Sequence, residues 1–193
     1  MVSQKSDLVV FSERGVGSTL KDQSGFTLIE ALVVMVVGVA VLAGAAAGIG
    51  RLFAASNVAT EAQNITLIAA NIKGMKDGPQ GYKALTMATA KAFKAIPENM
   101  TISGQDTEPK VTNLWNGDVT FASTNEAKSF MITYSGVPDD ACKQLALKLK
   151  GGGWESLGVG DGKTLITPSS DLGAINTACA KGSGKGTMIF QSS

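Results

Sequence analysis

The chain has 193 residues, a length that suits one domain with an appendage. Its 17 Lys and Arg residues nearly balance its 16 Asp and Glu residues, so the formal net charge of +1 gives no overall attraction to nucleic acid. There is no histidine, which removes the commonest general base and metal ligand, so we expect no enzyme activity, no cofactor and no metal. The charged fraction of 17% lies below the usual value of about 25% and favours a membrane or envelope protein.

An uncharged apolar run of 19 residues covers positions 31–49. As a helix it rises about 1.5 Å per residue and crosses most of a hydrocarbon core about 30 Å thick. Lys5, Arg14 and Lys21 precede the run, whereas Arg51 is the only Lys or Arg in the twenty residues that follow it. The positive-inside rule therefore predicts a cytoplasmic N-terminus and export of the chain after Arg51.

One acidic residue, Glu30, stands immediately before this run. Inserting an acidic side chain at the centre of a membrane span costs about 2.5–3.5 kcal/mol, and less toward its end. We therefore expect the Glu30 carboxylate to have a partner or a function. Cleavage between Gly25 and Phe26 would free an amino group on Phe26, which is charged below a pKa of about 7.7–8.0. That amine would neutralise Glu30 in an apolar environment. The alternative is a carboxylate that reaches the membrane interface on its own.

The hexapeptide GFTLIE at residues 25–30, followed by the apolar run, resembles the class III signal of type IV pilins. The resemblance implies that a prepilin peptidase cleaves after Gly25 and methylates the amino group of Phe26. It also implies that Glu30 pairs with the Phe26 amine of a neighbouring subunit and sets helix register during assembly. The long leader and the sequence around Cys142 are similar to the type IVb subclass, whereas Phe26 as the first mature residue is usual in the other subclass.

Small residues recur at every fourth position of the apolar run, at Ala40, Gly44 and Gly48. Such a series lets helix backbones approach closely in a membrane, so we expect it to serve helix packing. The alternative is that a membrane helix simply tolerates glycine.

After Arg51 the apolar residues narrow to a stripe with steps of three or four, while Glu61, Asn64 and other polar residues fill the remaining positions. This pattern predicts an amphipathic helix that ends between Gly74 and Gly78, before Pro79. A helix of about 50 residues cannot be buried along its whole length in a domain of this size, so its first half needs lipid or other copies of itself. The stripe consists of Val58, Ala62, Ile65, Ala69, Ile72 and Met75.

The remaining sequence predicts an α+β head in which an antiparallel sheet packs against the long helix, the fold that the pilin resemblance also implies. We expect helices at 82–95, 138–150 and 171–179, and strands at 111–115, 118–122, 129–134, 154–159, 165–166 and 187–191. Asn116 and Gly117 predict a two-residue type I′ turn between the first two strands. The inner face of the first of these helices is predicted to carry Leu85, Ala88, Ala92 and Ala95, and that of the second Ala141, Leu145 and Leu149.

Cys142 and Cys179 are the two cysteines and lie 37 positions apart in the segment predicted to be exported. In an oxidising compartment they most simply form one disulfide, worth about 4 kcal/mol in the chain-entropy model. The alternatives are a redox-active pair or a pair of metal ligands. Neither is supported, because the chain has no C-x-x-C spacing and no histidine. The disulfide would tie helix 139–150 to the C-terminal region, and type IV pilins commonly close a C-terminal loop in this way.

The sequence is thus identified as a type IV prepilin with a leader at 1–25, a membrane and filament-core helix at 26–52, and a head at 53–193 whose region 142–179 is closed by the disulfide. The resemblance implies a major subunit that is held in the bacterial inner membrane by lipid and then assembled with other pilin subunits into an extracellular pilus. Its implied partners are the prepilin peptidase, an assembly ATPase and a membrane platform, and the filament would serve adhesion, aggregation or DNA transfer.

Three alternatives stay open at this point. Signal peptidase I cleavage after Ala45 would release a soluble secreted binding protein. A chain without processing would be a membrane-anchored domain. A pseudopilin of a type II secretion system is the alternative nearest to the pilin interpretation.

Overall fold

The computed structural model describes residues 27–124 and 126–193, and the chain divides between Ala45 and Ala46 into two compact units. Within the described residues the elements follow in the order α1 (Leu28–Gly74), a 3₁₀ turn (Gly78–Gln80), α2 (Met87–Ala92), β1 (Thr101–Gln105), β2 (Glu108–Thr112), β3 (Asp118–Thr124), β4 (Ser129–Pro138), α3 (Asp139–Leu149), β5 (Ser156–Val159), β6 (Thr164–Ile166), α4 (Leu172–Ala180) and β7 (Lys185–Ser192).

Helix α1 is continuous over 47 residues and ends at Gly74, inside the predicted interval. Lys73 lies in its last turn, where a positive charge interacts favourably with the helix dipole. Pro79 follows in the 3₁₀ turn, and because proline has no amide hydrogen it cannot extend an α-helix. The predicted long helix and its end are therefore confirmed.

The head contains a seven-stranded antiparallel sheet, against which the second half of α1 packs. Its strand order is β1-β2-β3-β4-β7-β5-β6, so the last strand of the chain lies between β4 and β5. The longest pairing joins β4 to β7, from Phe130 opposite Ser192 to Pro138 opposite Lys185, with a bulge between Tyr134 and Val137. The predicted α+β fold with an antiparallel sheet is confirmed.

The core lies between the sheet and the helices. Alternate residues of β4 and β7 point inward, as the two-residue period of a strand requires. Tyr134 and Trp154 both pack against Phe190, with ring centroids 6.3 and 5.1 Å away. Helix α3 adds its predicted inner face, Ala141, Leu145 and Leu149, and α1 adds Val58, Ile65, Ile68, Ala69 and Ile72.

Helix α2 is shorter than the predicted helix 82–95. Thr86 has extended backbone angles and caps the helix, because its hydroxyl accepts a hydrogen bond from the Thr89 amide. In return, the Thr89 hydroxyl accepts a hydrogen bond from the Thr86 amide, which completes a capping box. Lys94 has a positive φ of 55°, which ends the helical path. The buried residue of α2 is Ala90, whereas Ala88 is half-buried and Ala92 is exposed, so the predicted inner position Ala92 is wrong. Leu85 and Ala95 are buried but lie outside the helix.

The predicted hairpin is present, but its turn is not a type I′ turn. Strands β2 and β3 pair through Val111 with Val119 and Thr112 with Asp118, which leaves a five-residue loop, 113–117. Of the Asn-Gly pair only Asn116 has a positive φ, 60°, whereas a type I′ turn needs two such residues. The longer loop forms because the Asn113 side chain accepts hydrogen bonds from the amides of Trp115 and Gly117.

Strand β1 was not predicted. It pairs with β2 over all five residues, yet every one of its side chains is exposed. A strand without a buried face carries no apolar alternation, so no pattern in the sequence predicts it. Strand β2 shares only Val111 and Thr112 with the predicted strand 111–115, whose other residues lie in the loop 113–117. The remaining strands and helices α3 and α4 lie where they were expected, with ends that differ by at most four residues.

Candidate assembly site

The N-terminal turn of α1 is held by Thr27. Its hydroxyl accepts a hydrogen bond from the Glu30 amide at 3.3 Å, and its carbonyl accepts one from the Ala31 amide at 3.1 Å. This is the N-cap arrangement that satisfies amides at a helix start, and it places the predicted residue Glu30 in the first turn. The sequence analysis missed Thr27, although the T-x-x-E spacing of a capping box could have revealed it.

Glu30 is exposed, and within residues 27–124 and 126–193 its carboxylate has no hydrogen bond or ion pair. Gly25 and Phe26, the predicted processing residues, lie outside the described residues. The pairing of Glu30 with a Phe26 amine therefore stays a prediction. Among the described residues, the carboxylate therefore has no partner at the start of an apolar helix.

The first part of α1 exposes its apolar side chains on all sides. An 18-residue window of this helix has a mean hydropathy of 2.6 and none of it is buried, so by length and composition it is a candidate membrane span. Val33, Val36 and Val37 contribute to an open apolar groove of about 220 Å³ on this surface. Side chains of this kind are stable only in lipid or against another apolar surface.

The predicted packing residues Ala40, Gly44 and Gly48 are all exposed on the helix. A Cβ atom added to either glycine would meet nothing within 4 Å. Neither glycine is therefore required by packing among the described residues, which leaves their surface open to a second helix.

The second part of α1 buries one face in the head, and this face includes two polar residues that the predicted stripe omitted. Glu61 and Asn64 are only 1% and 2% exposed. Oxygen Oε1 of Glu61 accepts a hydrogen bond from the amide of Leu114 at 2.6 Å, and Oε2 accepts one from Asn64 at 3.3 Å. Assigning both residues to the positions outside the buried stripe was wrong, because Glu61 ties α1 to the loop 113–117.

Burial raises the pKa of the Glu61 carboxyl above its ordinary value of 4.5, and the hydrogen bonds from Leu114, Asn64 and Tyr134 only partly oppose this. Burial also raises the pKa of the Tyr134 hydroxyl well above its ordinary value, with a further contribution from the charge of Glu61. Tyr134 therefore keeps its proton throughout the physiological range.

The loop 113–117 is fastened on its other side by Asn113. This buried side chain donates to the carbonyl of Ser135 on β4 at 2.8 Å, in addition to accepting from two loop amides. Gly117 lies so close to β4 that an added Cβ would stand 1.7 Å from the Ser135 oxygen. The loop thus has one fixed shape between α1 and the sheet.

Cys142 on α3 and Cys179 on α4 form the predicted disulfide, with Cα atoms 5.9 Å apart. Both residues are buried, so the crosslink lies inside the head and joins the two helices. Within the described residues no group of three or more acidic or cysteine side chains is placed to hold a metal ion.

Comparison with known proteins gave two family matches and one structural match of note. A family model described as PilS N terminal matches residues 55–193, and the prokaryotic N-terminal methylation motif matches residues 20–46. The chain is similar to the crystal structure of a type IV b pilin from Salmonella typhi, with 26% identity, a TM-score of 0.56, and coverage of 68% of this chain and 97% of that chain. No curated protein matches this sequence.

Proposed function

Because the chain belongs to the PilS family of type IV pilins and is type IVb-like, we propose that it is the major subunit of a type IV pilus. Proteins of this family are structural subunits rather than enzymes, and membership implies processing by a prepilin peptidase and polymerisation of pilin subunits. The finer proposal concerns how this chain is anchored, assembled and used.

The observation that carries the proposal is the exposure of the apolar part of α1. Leu28 and Met35, for example, are 82% and 74% exposed, in a helix whose later turns are buried in the head. Such a surface gains about 25 cal/mol per Å² when it leaves water. We infer that inner-membrane lipid covers it first and that other copies of the same helix cover it in an extracellular filament, with a smaller gain for the transfer because lipid is also apolar.

In this proposal cleavage after Gly25 removes the leader 1–25 and exposes the Phe26 amine, which is then methylated. The amine pairs with Glu30 of a neighbouring subunit, whose carboxylate has no partner among the described residues. The surface of Ala40, Gly44 and Gly48 lets the helices approach closely. An ATPase and a membrane platform drive assembly, and the filament serves adhesion, aggregation or DNA transfer.

Mass spectrometry of filaments sheared from cells tests this proposal. We expect a chain that begins at Phe26, carries one added methyl group and contains an intact disulfide. A chain beginning at Ala46 would instead support release of a soluble protein by signal peptidase I, and a chain retaining Met1 in the membrane fraction would support an unprocessed anchor. Either result would contradict the pilin mechanism for this chain.

Replacement of Glu30 separates assembly from processing. We expect Glu30→Ala to be cleaved normally and to yield few or no filaments, because the Phe26 amine then lacks its partner. Glu126→Ala, which removes an exposed acid of the head, is the matched control and should assemble normally. Normal filament yield from Glu30→Ala would refute the assigned role.

A further inference from the structure

Glu61 is the one fully buried acidic side chain among the described residues. It lies in the second half of α1, on the face that the head covers, and the assembly mechanism makes no use of it. A carboxylate at such a position is unusual, because transfer of an unpaired charge from water into a protein interior is costly and the group tends to bind a proton instead.

The groups that face Glu61 are all uncharged. They are the Leu114 amide from the loop 113–117, the Asn64 side chain from α1 itself and the Tyr134 hydroxyl from β4. Tyr134 is the only titratable group among them, and no lysine or arginine contributes. The ion pairs found in the described residues join other acids, Asp106, Asp118, Glu126 and Asp140.

The same neighbours can satisfy Glu61 with or without a proton. In the structure the Tyr134 hydroxyl donates to the Met100 sulfur at 3.9 Å, and it can turn to donate to the carboxylate when Glu61 is charged. When the carboxyl is protonated, its O–H can donate to the Tyr134 oxygen while the Tyr134 hydroxyl keeps its bond to the Met100 sulfur. The Leu114 amide keeps its acceptor in both states. Proton uptake therefore requires no unfolding and leaves no buried donor without a partner.

A small polar cavity beside Glu61 provides a route by which a proton from solvent can reach the carboxyl group. The cavity has a volume of about 140 Å³, and Glu61 lines it together with Asn99, Thr101 and Asn116, which are exposed. Such a volume is large enough to hold water.

We propose that Glu61 is a proton-binding site of the folded head, which takes up one proton as the pH falls from neutral and becomes more stable as it does so. The sign follows from linkage: burial raises the pKa in the folded state, so the folded head binds this proton at a pH where the unfolded chain does not. The added stability is complete below about pH 4.5, the ordinary glutamate value, and is lost as the pH rises through the raised pKa.

Other acids of the head act in the opposite direction. The Lys91 ammonium group lowers the pKa of Asp106, the amides of Lys163 and Thr164 lower that of Asp161, and hydrogen bonds from Ser193 and Ser129 lower that of Glu155. Their contributions to stability are lost in acid. The contribution of Glu61 must therefore be measured as a difference between matched variants.

The test is urea unfolding of the full chain in detergent micelles between about pH 5 and about pH 8, where one linked proton changes the unfolding constant by up to about tenfold per pH unit. The two tryptophans, Trp115 and Trp154, both lie in the head, so their fluorescence reports its unfolding. We expect the unfolding constant of Glu61→Gln to vary less with pH than that of the wild type, and to be lower than the wild-type constant at the alkaline end. Glu98→Gln, an exposed control, should keep the wild-type slope. Parallel curves for the wild type and Glu61→Gln would overturn the proposal.

Infrared spectroscopy of the wild-type chain gives a second test that does not depend on a variant's folding. A buried protonated carboxyl group absorbs apart from carboxylates, and its band should grow as the pH falls from neutral toward 4.5, the ordinary glutamate pKa. Absence of that band down to about pH 4.5 would also overturn the proposal. Both measurements use unassembled protein, so their outcome is independent of the filament experiments.

Discussion

The apolar side chains of helix α1 are exposed in its first part and buried on one face in its second part. In residues 28–46 all side chains are exposed, whereas between Val58 and Ile72 one face is buried in the head. Apart from Glu30, the first stretch is apolar around its whole circumference, while the second alternates apolar and polar residues with helical spacing. The second stretch is therefore stabilised within one molecule, whereas the first requires a surrounding apolar medium or another molecule.

The greatest loss of stability is expected when the disulfide of the head is removed. Replacing both cysteines, as in Cys142→Ala with Cys179→Ala, should lower the free energy of unfolding of the head by about 4 kcal/mol, because the 37-residue loop is no longer closed in the unfolded chain. Urea unfolding followed by tryptophan fluorescence measures this. A wild-type midpoint that does not move on reduction would contradict the expectation.

The next effect tests the buried face of α1 directly. Ile65→Ala should destabilise the head by about 3 kcal/mol, since it leaves a cavity at a side chain with 0% exposure. Leu67→Ala, on the same helix but 51% exposed, should cost less than about 1 kcal/mol. Leu42→Ala in the first stretch should leave head unfolding unchanged. Equal effects at Ile65 and Leu42 would remove the distinction between the two stretches.

The loop that joins α1 to the sheet provides a smaller effect. Asn113→Ala should destabilise the head by about 2 kcal/mol, because the carbonyl of Ser135 and the amides of Trp115 and Gly117 lose their partner in a buried place. Asn99→Ala, an exposed control nearby, should have an effect below about 0.5 kcal/mol. Thermal denaturation measures the effect. If Asn113→Ala lowers the midpoint temperature no more than the control does, other contacts hold the loop.

The smallest effect on the head is expected in the first part of the helix. Gly44→Ala should leave the urea midpoint of the head unchanged, because the added Cβ meets nothing within 4 Å. If the small residues serve helix packing, the same change should reduce the yield of filaments, which electron microscopy can count. Gly151→Ala, where an added Cβ also meets nothing, is the control in the head and should assemble normally.

The elements of the molecule also differ in how well the sequence predicts them. The apolar run, the end of α1 at Gly74 and the inner face of α3 depend on side-chain periodicity and helix breakers, which act among neighbours in the chain. The shortening of α2 depends on a local cap at Thr86 and could have been found from the spacing of its threonines. The exposed strand β1 left no periodic pattern to find.

The long apolar helix, the mixed α+β head and the pairing of the two cysteines could be predicted from the amino-acid sequence, because hydrophobic period, turn residues and the number of cysteines are local or countable properties. The burial of Glu61 and the position of the last strand between β4 and β5 could be seen only in the folded chain. The reason is distance along the chain: the amide that donates a hydrogen bond to Glu61 belongs to Leu114, 53 positions away, and no local pattern specifies which remote group bonds to a polar side chain.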